Sequence, residues 1–421
     1  MEKSVKSCYF LSLTLENVAC FGKKQKLNLT DKKGNPHRWT IILGDNGTGK
    51  TTLLRSLVSI LPGENSIYSG LIRTHSDVFW DYKRGDKLYP FVEGRFIYNF
   101  SFYGKTNITR EIRSTFEGIS IIPTFPKGNS FEDFFIPCYS YSAARIMSRK
   151  DSSRNQIRIP NASLFSDNYP LIDAEEWLLK ADYLAIKNKK YKTYKNQVED
   201  IILNLLPDVS KIEYKIQDKE PQVLFKTSFG LVSLENLSLG YRTMLAWMVD
   251  FAAMLFERYP DSNNPLKEPA VLLVDEIDLH LHPKWQKTLI DFLNERFPNT
   301  QFIATAHSPL LVQEASDYNL VLLEKKGKDV IINNDPVSVK NWRIDQILTS
   351  DLFGIKTVRP QKTQKLLDKR TKILSRPKIT EKDKKEISDI EKELDFIPYG
   401  NSQEEIKADS LIQEVLKKIN S

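Results

Sequence analysis

The sequence predicts an α/β fold built on a parallel sheet with helices on both faces, and three stretches carry that expectation. Trp39 to Leu43 is a short apolar run that ends at glycines 44, 47 and 49. Lys50 to Leu61 follows it with helical periodicity and stops at Pro62-Gly63. Val271 to Val274 and Phe302 to Ala306 are further apolar runs, separated by a stretch of helical character. Apolar strands that do not alternate with polar residues are buried on both faces, which is the mark of a helix-covered parallel sheet.

The other elements follow in chain order. Phe10 to Leu15 and Lys24 to Leu29 alternate like strands and form an expected antiparallel pair at the front. Residues 64–235 read as an insert of two lobes within the 1–360 domain. Tyr89–Tyr103 gives a β-lobe, Ser148–Asp167 a polar exposed loop, and Asp173–Leu205 a helical lobe with Trp177, Leu178, Val198, Ile201 and Ile202 at helical spacing. The core resumes at Ser238 and runs to about Ile355. Residues 361–421, rich in Lys and Glu, form an expected helical appendage. Thr380 and Asp383 sit like a capping box there, and Ser402 and Glu405 open a second helix beyond Pro398-Tyr399-Gly400.

Composition narrows the class. A 41% hydrophobic and 27% charged chain of 421 residues buries a large core. No run of 18 apolar residues is present and the opening residues are unlike a signal peptide, so a cytoplasmic protein that crosses no membrane is expected. Cys8, Cys20 and Cys138 have no metal or redox spacing and read as reduced packing residues. The net charge of +7 is compatible with nucleic-acid contact, although the lysine runs near 187–195 and 362–385 read first as solvated helix faces.

The chemistry concentrates in four places. Gly44-Asp45-Asn46-Gly47-Thr48-Gly49-Lys50-Thr51, with Thr52 after it, is a loop whose glycines let backbone N–H groups converge on phosphates. Lys50 reaches the β- and γ-phosphates, the Thr51 hydroxyl holds Mg²⁺, and the helix behind adds its positive end. The apolar strand at 271–274 delivers Asp275 to the Mg²⁺ shell and Glu276 to the attacking water. Ser238, Gly240 and Arg242 stand at the start of a strongly apolar helix, a ready anion site. His307, just past the strand ending at Ala306, can bond a γ-phosphate or the attacking water. His280 and His282 have no third ligand at metal spacing and read as loop packing, with Asp278 the better candidate between them and Glu276.

These motifs, with Asn17-Val18-Ala19-Cys20-Phe21 at the front and Trp342–Leu348 toward the tail, resemble the ABC-type ATPases that include SMC and RecF proteins. Within them the chain is similar to the stand-alone AAA family ATPases of bacterial defence, the ATPase subunits of Septu-type and retron-associated systems. The resemblance implies an ABC-type P-loop ATPase head with a mixed, mainly parallel sheet, and it implies ATP and Mg²⁺ as ligands. It implies two heads pairing head-to-tail as a homodimer or higher oligomer, Ser238 and Gly240 of one chain completing the ATP site of the other. Asp278 then lies on the loop joining the two sites, and His307 is the switch histidine. A separate HNH nuclease is the implied effector. Two departures stand out: Ala19 occupies a position where the family usually has arginine, and the glutamine linking the metal site to the helical lobe is missing, with Arg145 near its place.

The leading expectation is therefore an ATP-driven switch for a defence effector. A RecF-like ATPase that binds DNA directly, and a transporter ATPase subunit, are the alternatives. Leu322-Leu323-Glu324 resembles a TOPRIM strand end, but no Asp-x-Asp follows in 361–421, so no nuclease is expected within the chain.

Overall fold

The computed structural model describes residues 4–59, 61, 91–101, 106–114, 137–148, 158–217 and 220–394. It divides into two compact units, residues 1–353 and 354–421.

At the centre of the larger unit is a six-stranded sheet. Its strands are β3 (Trp39–Gly44), β6 (Cys138–Tyr141), β10 (Ala270–Val274), β11 (Thr300–Thr305), β12 (Asn319–Lys326) and β13 (Asp329–Asn333). Their order across the sheet is β13-β12-β3-β11-β10-β6. Every pairing is parallel except β12 with β13. All five residues of β10 are buried, because side chains alternate between two covered faces. Leu272 and Val274 join one apolar cluster, while Val271 and Leu273 join the other.

The first cluster holds the helical part of the unit. Helices α2 (Ala174–Ala185) and α3 (Lys189–Leu205) are opened by Asp173 and Asn188, whose side chains accept the first free N–H groups. They meet α4 (Leu239–Arg258), where Phe256 stacks between Trp177 and Tyr194 at centroid distances of 5.8 and 4.1 Å. A three-stranded antiparallel sheet belongs to the same side, formed in order by β7 (Val209–Gln217), β8 (Glu220–Thr227) and β9 (Gly230–Ser233). The second cluster lies under α1 (Lys50–Ser59) and a four-stranded antiparallel sheet. That sheet comprises β1 (Ser4–Glu16), β2 (Gln25–Asn28), β4 (Phe91–Ser101) and β5 (Thr106–Ser114), in the order β2-β1-β4-β5. Gln301 ties it to the central sheet: its buried side chain accepts from the Phe10 N–H at 2.7 Å and donates to the Phe10 carbonyl at 3.0 Å.

Two sequence expectations change. Cys138–Tyr141, expected within the inserted lobes, is an edge strand of the central sheet, since four buried residues in parallel register with Val271–Val274 extend the doubly covered surface. The expected exposed loop at 148–167 contains a buried one-turn helix, Ala162–Phe165, whose Ser163 hydroxyl donates to the Ser140 carbonyl at 2.9 Å.

In the smaller unit, two helices, Gln361–Leu374 and Glu381–Leu394, run antiparallel, as the Lys362–Glu393 and Lys369–Glu386 ion pairs require. Thr380 and Asp383 form the expected reciprocal cap: the Thr380 N–H donates to Asp383 at 2.9 Å and the Asp383 N–H to Thr380 at 3.2 Å. The second expected helix, from Ser402, lies outside the described residues.

Candidate functional site

The loop between β3 and α1 is curled by its glycines. Gly44, Gly47 and Gly49 have φ of 145°, 77° and 86°, a region closed to most side chains. At two of them space is short as well. A Cβ on Gly44 would lie 2.8 Å from the Leu323 carbonyl, and one on Gly49 would lie 2.5 Å from Cys20 Sγ. The Cys20 sulfur is brought there by a tight hairpin, Val18–Phe21, closed by reciprocal bonds of 2.9 and 2.8 Å between those two residues. Ala19, at its tip with φ of 49°, lines the cleft above the loop.

The rest of the loop is held from within. Thr48 Oγ1 donates to the Asp45 carbonyl at 2.8 Å, while Asp45 and Asn46 stay exposed. Lys50 Nζ donates to the Gly44 and Asp45 carbonyls at 2.8 and 3.0 Å, which seats its ammonium under the loop. Burial draws the Lys50 pKa below the lysine range, opposed by Asp275 first and then Glu276. Gly47, Gly49, Lys50, Thr51 and Thr52 line one face of the cleft, and Asp275 and Glu276 the other.

The two faces are joined by short bonds. Thr51 Oγ1 donates to Asp275 Oδ2 at 2.5 Å, and Thr305 Oγ1 donates to Asp275 Oδ1 at 2.6 Å. Thr305 Oγ1 also accepts the Glu276 N–H at 2.7 Å. From the opposite side Arg145 Nη2 donates to the carbonyls of Asp275 and Glu276 at 2.5 and 2.6 Å. Burial lowers the Arg145 pKa to about 10, with Asp275, Asp278 and Glu276 opposing, so the guanidinium is charged at neutral pH. Glu276 has φ of 49°, and its side chain makes no hydrogen bond or ion pair among the described residues. Position 276 therefore offers a carboxylate on a fixed backbone.

The remaining predicted residues gather nearby but do not line this cleft. Asp278 is buried and accepts the His307 N–H at 2.9 Å, so these two sit together while the His307 ring is exposed. Ser238 caps α4, accepting the Tyr241 N–H at 3.4 Å, and is exposed; Arg242 is half-buried one turn on. Gly240 packs against the loop after Asp278, where a Cβ would lie 2.3 Å from the His280 carbonyl. Gly240→Ala is accordingly expected to cost about 1–3 kcal/mol of stability, since backbone must move. Urea denaturation of the variant beside the parent checks this. His282 caps the following helix, α5 (Pro283–Arg296), its Nδ1 accepting the Lys284 N–H at 3.3 Å.

Sequence reasoning missed the tie from Thr305 to both acids and the clamp made by Arg145. It also missed a buried link from α4: Tyr141 Oη donates to Asp250 at 2.8 Å, and the Tyr141 carbonyl accepts the Asp275 N–H at 2.9 Å. Two signals were available: a polar residue ending an apolar strand, as Thr305 does, and the place of Arg145 near that of the missing glutamine, which pointed to the residue but not to its bonds.

A glycine loop between a central parallel strand and its helix, facing an acid pair on the strand two places along, defines a P-loop protein of the α/β class. A family model described as "AAA domain, putative AbiEii toxin, Type IV TA system" matches residues 40–313, and the chain belongs to that family. Among curated proteins it is similar to "Septu protein PtuA" of Bacillus mycoides (strain KBAB4), at 26% identity over 413 residues covering 93% of this chain. The chain spans about half of that relative's length, 52%. It is 32% identical over 192 residues to "Retron Ec83 probable ATPase" of Escherichia coli, covering 46% of this chain and 32% of the relative. Among solved structures, the SMC head domain from Thermotoga maritima aligns over 78% of this chain and all of its own, with 15% identity and a TM-score of 0.41. No helix among the described residues is long and apolar enough to cross a membrane.

Proposed function

We propose that the chain is an ATPase of anti-phage defence whose ATP-dependent head-to-tail dimer switches a separately encoded effector, an HNH nuclease. The observation that carries the ATPase reading is the bonded unit Thr51–Asp275–Glu276 beside the glycine loop, which fits a nucleoside triphosphate with Mg²⁺. The names of the relatives, a Septu protein and a retron ATPase, support the defence setting.

In this reading the N–H groups of Gly44 to Thr52 and the Lys50 ammonium bind the β- and γ-phosphates. Thr51 and Asp275 would hold Mg²⁺, which supplies charge neutralisation at the transferring phosphoryl group. Glu276 orients the attacking water and accepts its proton, and His307, held through its N–H by Asp278, bonds the γ-phosphate side. Ser238, Gly240 and Arg242 serve the site of a second copy. Their support is position: an exposed helix N-terminus with unspent N–H groups, off their own chain's cleft.

A mixing experiment tests the composite site. Lys50→Ala and Ser238→Arg chains are each expected to be inactive alone. Mixed, they should regain hydrolysis that neither shows alone, because the mixed dimer pairs the intact glycine loop of one chain with the intact Ser238 of the other and so keeps one whole site. Absence of complementation rejects the head-to-tail site. The effector reading is tested by co-purification with the products of neighbouring genes, and a chain that purifies alone with no nuclease gene beside it defeats it. Tight, steeply salt-dependent DNA binding that rises with ATP would instead favour the RecF-like reading, to which the net charge of +7 is suited.

A further inference from the structure

We infer that Arg145 is a positioning residue for the hydrolytic step, holding the backbone that carries Asp275 and Glu276 in its working shape. This rests on the ATPase reading above.

Arg145 follows β6, is 3% exposed, and is anchored on its own loop by a 3.1 Å bond from Nε to the Ser142 carbonyl. A single nitrogen, Nη2, then meets two consecutive carbonyls, those of Asp275 and Glu276. Consecutive carbonyls in extended backbone point to opposite sides, so both reach one donor only if the chain is kinked between them. The kink is present: Glu276 has φ of 49°, and Arg145 itself has φ of 42°. Left-handed backbone at a residue other than glycine costs about 1–3 kcal/mol and persists only where its surroundings impose it. Here Arg145 Nη2 shares that task with the Leu279 N–H, which donates to the Glu276 carbonyl at 3.0 Å, and with Thr305, whose hydroxyl holds the Glu276 N–H and whose carbonyl holds the Ile277 N–H. Released, the 275–276 peptide relaxes toward ordinary backbone and swings the Glu276 carboxylate away from the cleft. Arginine suits the task because one nitrogen anchors the side chain while another clamps, a division lysine lacks.

The test uses full-length Arg145→Met and Arg145→Lys. It reads ATP turnover, nucleotide affinity and hydrogen exchange in the peptide spanning residues 274–279. Arg145→Met should lower turnover about 10–100-fold with affinity held within about threefold, and speed exchange in that peptide. Arg145→Lys should fall between the parent and Arg145→Met. Unchanged turnover and exchange would overturn the inference. So would parallel loss of turnover and affinity in both variants, which would make Arg145 a scaffold residue. If the wild-type chain hydrolyses no ATP, the ATPase reading fails, and the exchange data alone decide whether Arg145 holds the acid pair.

Discussion

Replacing Glu276 with glutamine is expected to leave ATP binding intact and to slow hydrolysis about 10²–10⁴-fold, the usual worth of a general base. The substitution keeps the shape of the side chain and touches none of the bonds that fix the local backbone. The Glu276 N–H donates to Thr305, and the Glu276 carbonyl accepts from Arg145 and from the Leu279 N–H. What disappears is the ability to take a proton from water. With turnover blocked, the ATP-bound dimer should accumulate, visible as a doubling of mass by light scattering on adding ATP and Mg²⁺. Turnover equal to the parent would remove Glu276 from its assigned role.

The second large effect is expected at Lys50. Its ammonium is buried and bonded to two loop carbonyls, so Lys50→Ala removes the proposed phosphate ligand and a brace of the loop together. Each charge-assisted hydrogen bond is worth about 1.5–3 kcal/mol, so nucleotide affinity should fall by at least about tenfold for each bond to phosphate that the lysine no longer makes. Dimer formation should fail with it. Lys50→Met, which keeps most of the side-chain volume, separates the two contributions: if it restores thermal stability but not affinity, the charge carries the binding. Titration with a fluorescent ATP analogue gives the affinity, and parent-like binding by both variants would refute the assignment.

The shape of the glycine loop and the placing of the acid pair could be read from sequence because their signals are local. Trp39–Leu43, the three glycines and Lys50 lie within a dozen residues, and each glycine answers to a backbone angle the structure shows. Asp275 and Glu276 end an apolar run whose burial on both faces is written in its lack of alternation. What could not be read were bonds between segments far apart in the chain. Arg145 reaches residues about 130 positions away through its side chain, and Gln301 reaches Phe10 across 291. Neither leaves a periodic trace. β6 escapes sequence reasoning for a related reason: four residues are too few to say which sheet they join.

The strand order has a consequence for synthesis of the chain. The acid pair on β10 is held by Thr305 from β11 and by Arg145 from the loop after β6, while the glycine loop leaves β3, which is flanked by β11 and β12. Residues 44 to 52 emerge early from the ribosome, yet their partners come more than 200 positions later. Pairings this distant form late and slowly. A partly made or truncated chain ending before residue 305 thus carries the glycine loop without the Thr305 hydroxyl that ties Asp275 and Glu276 together.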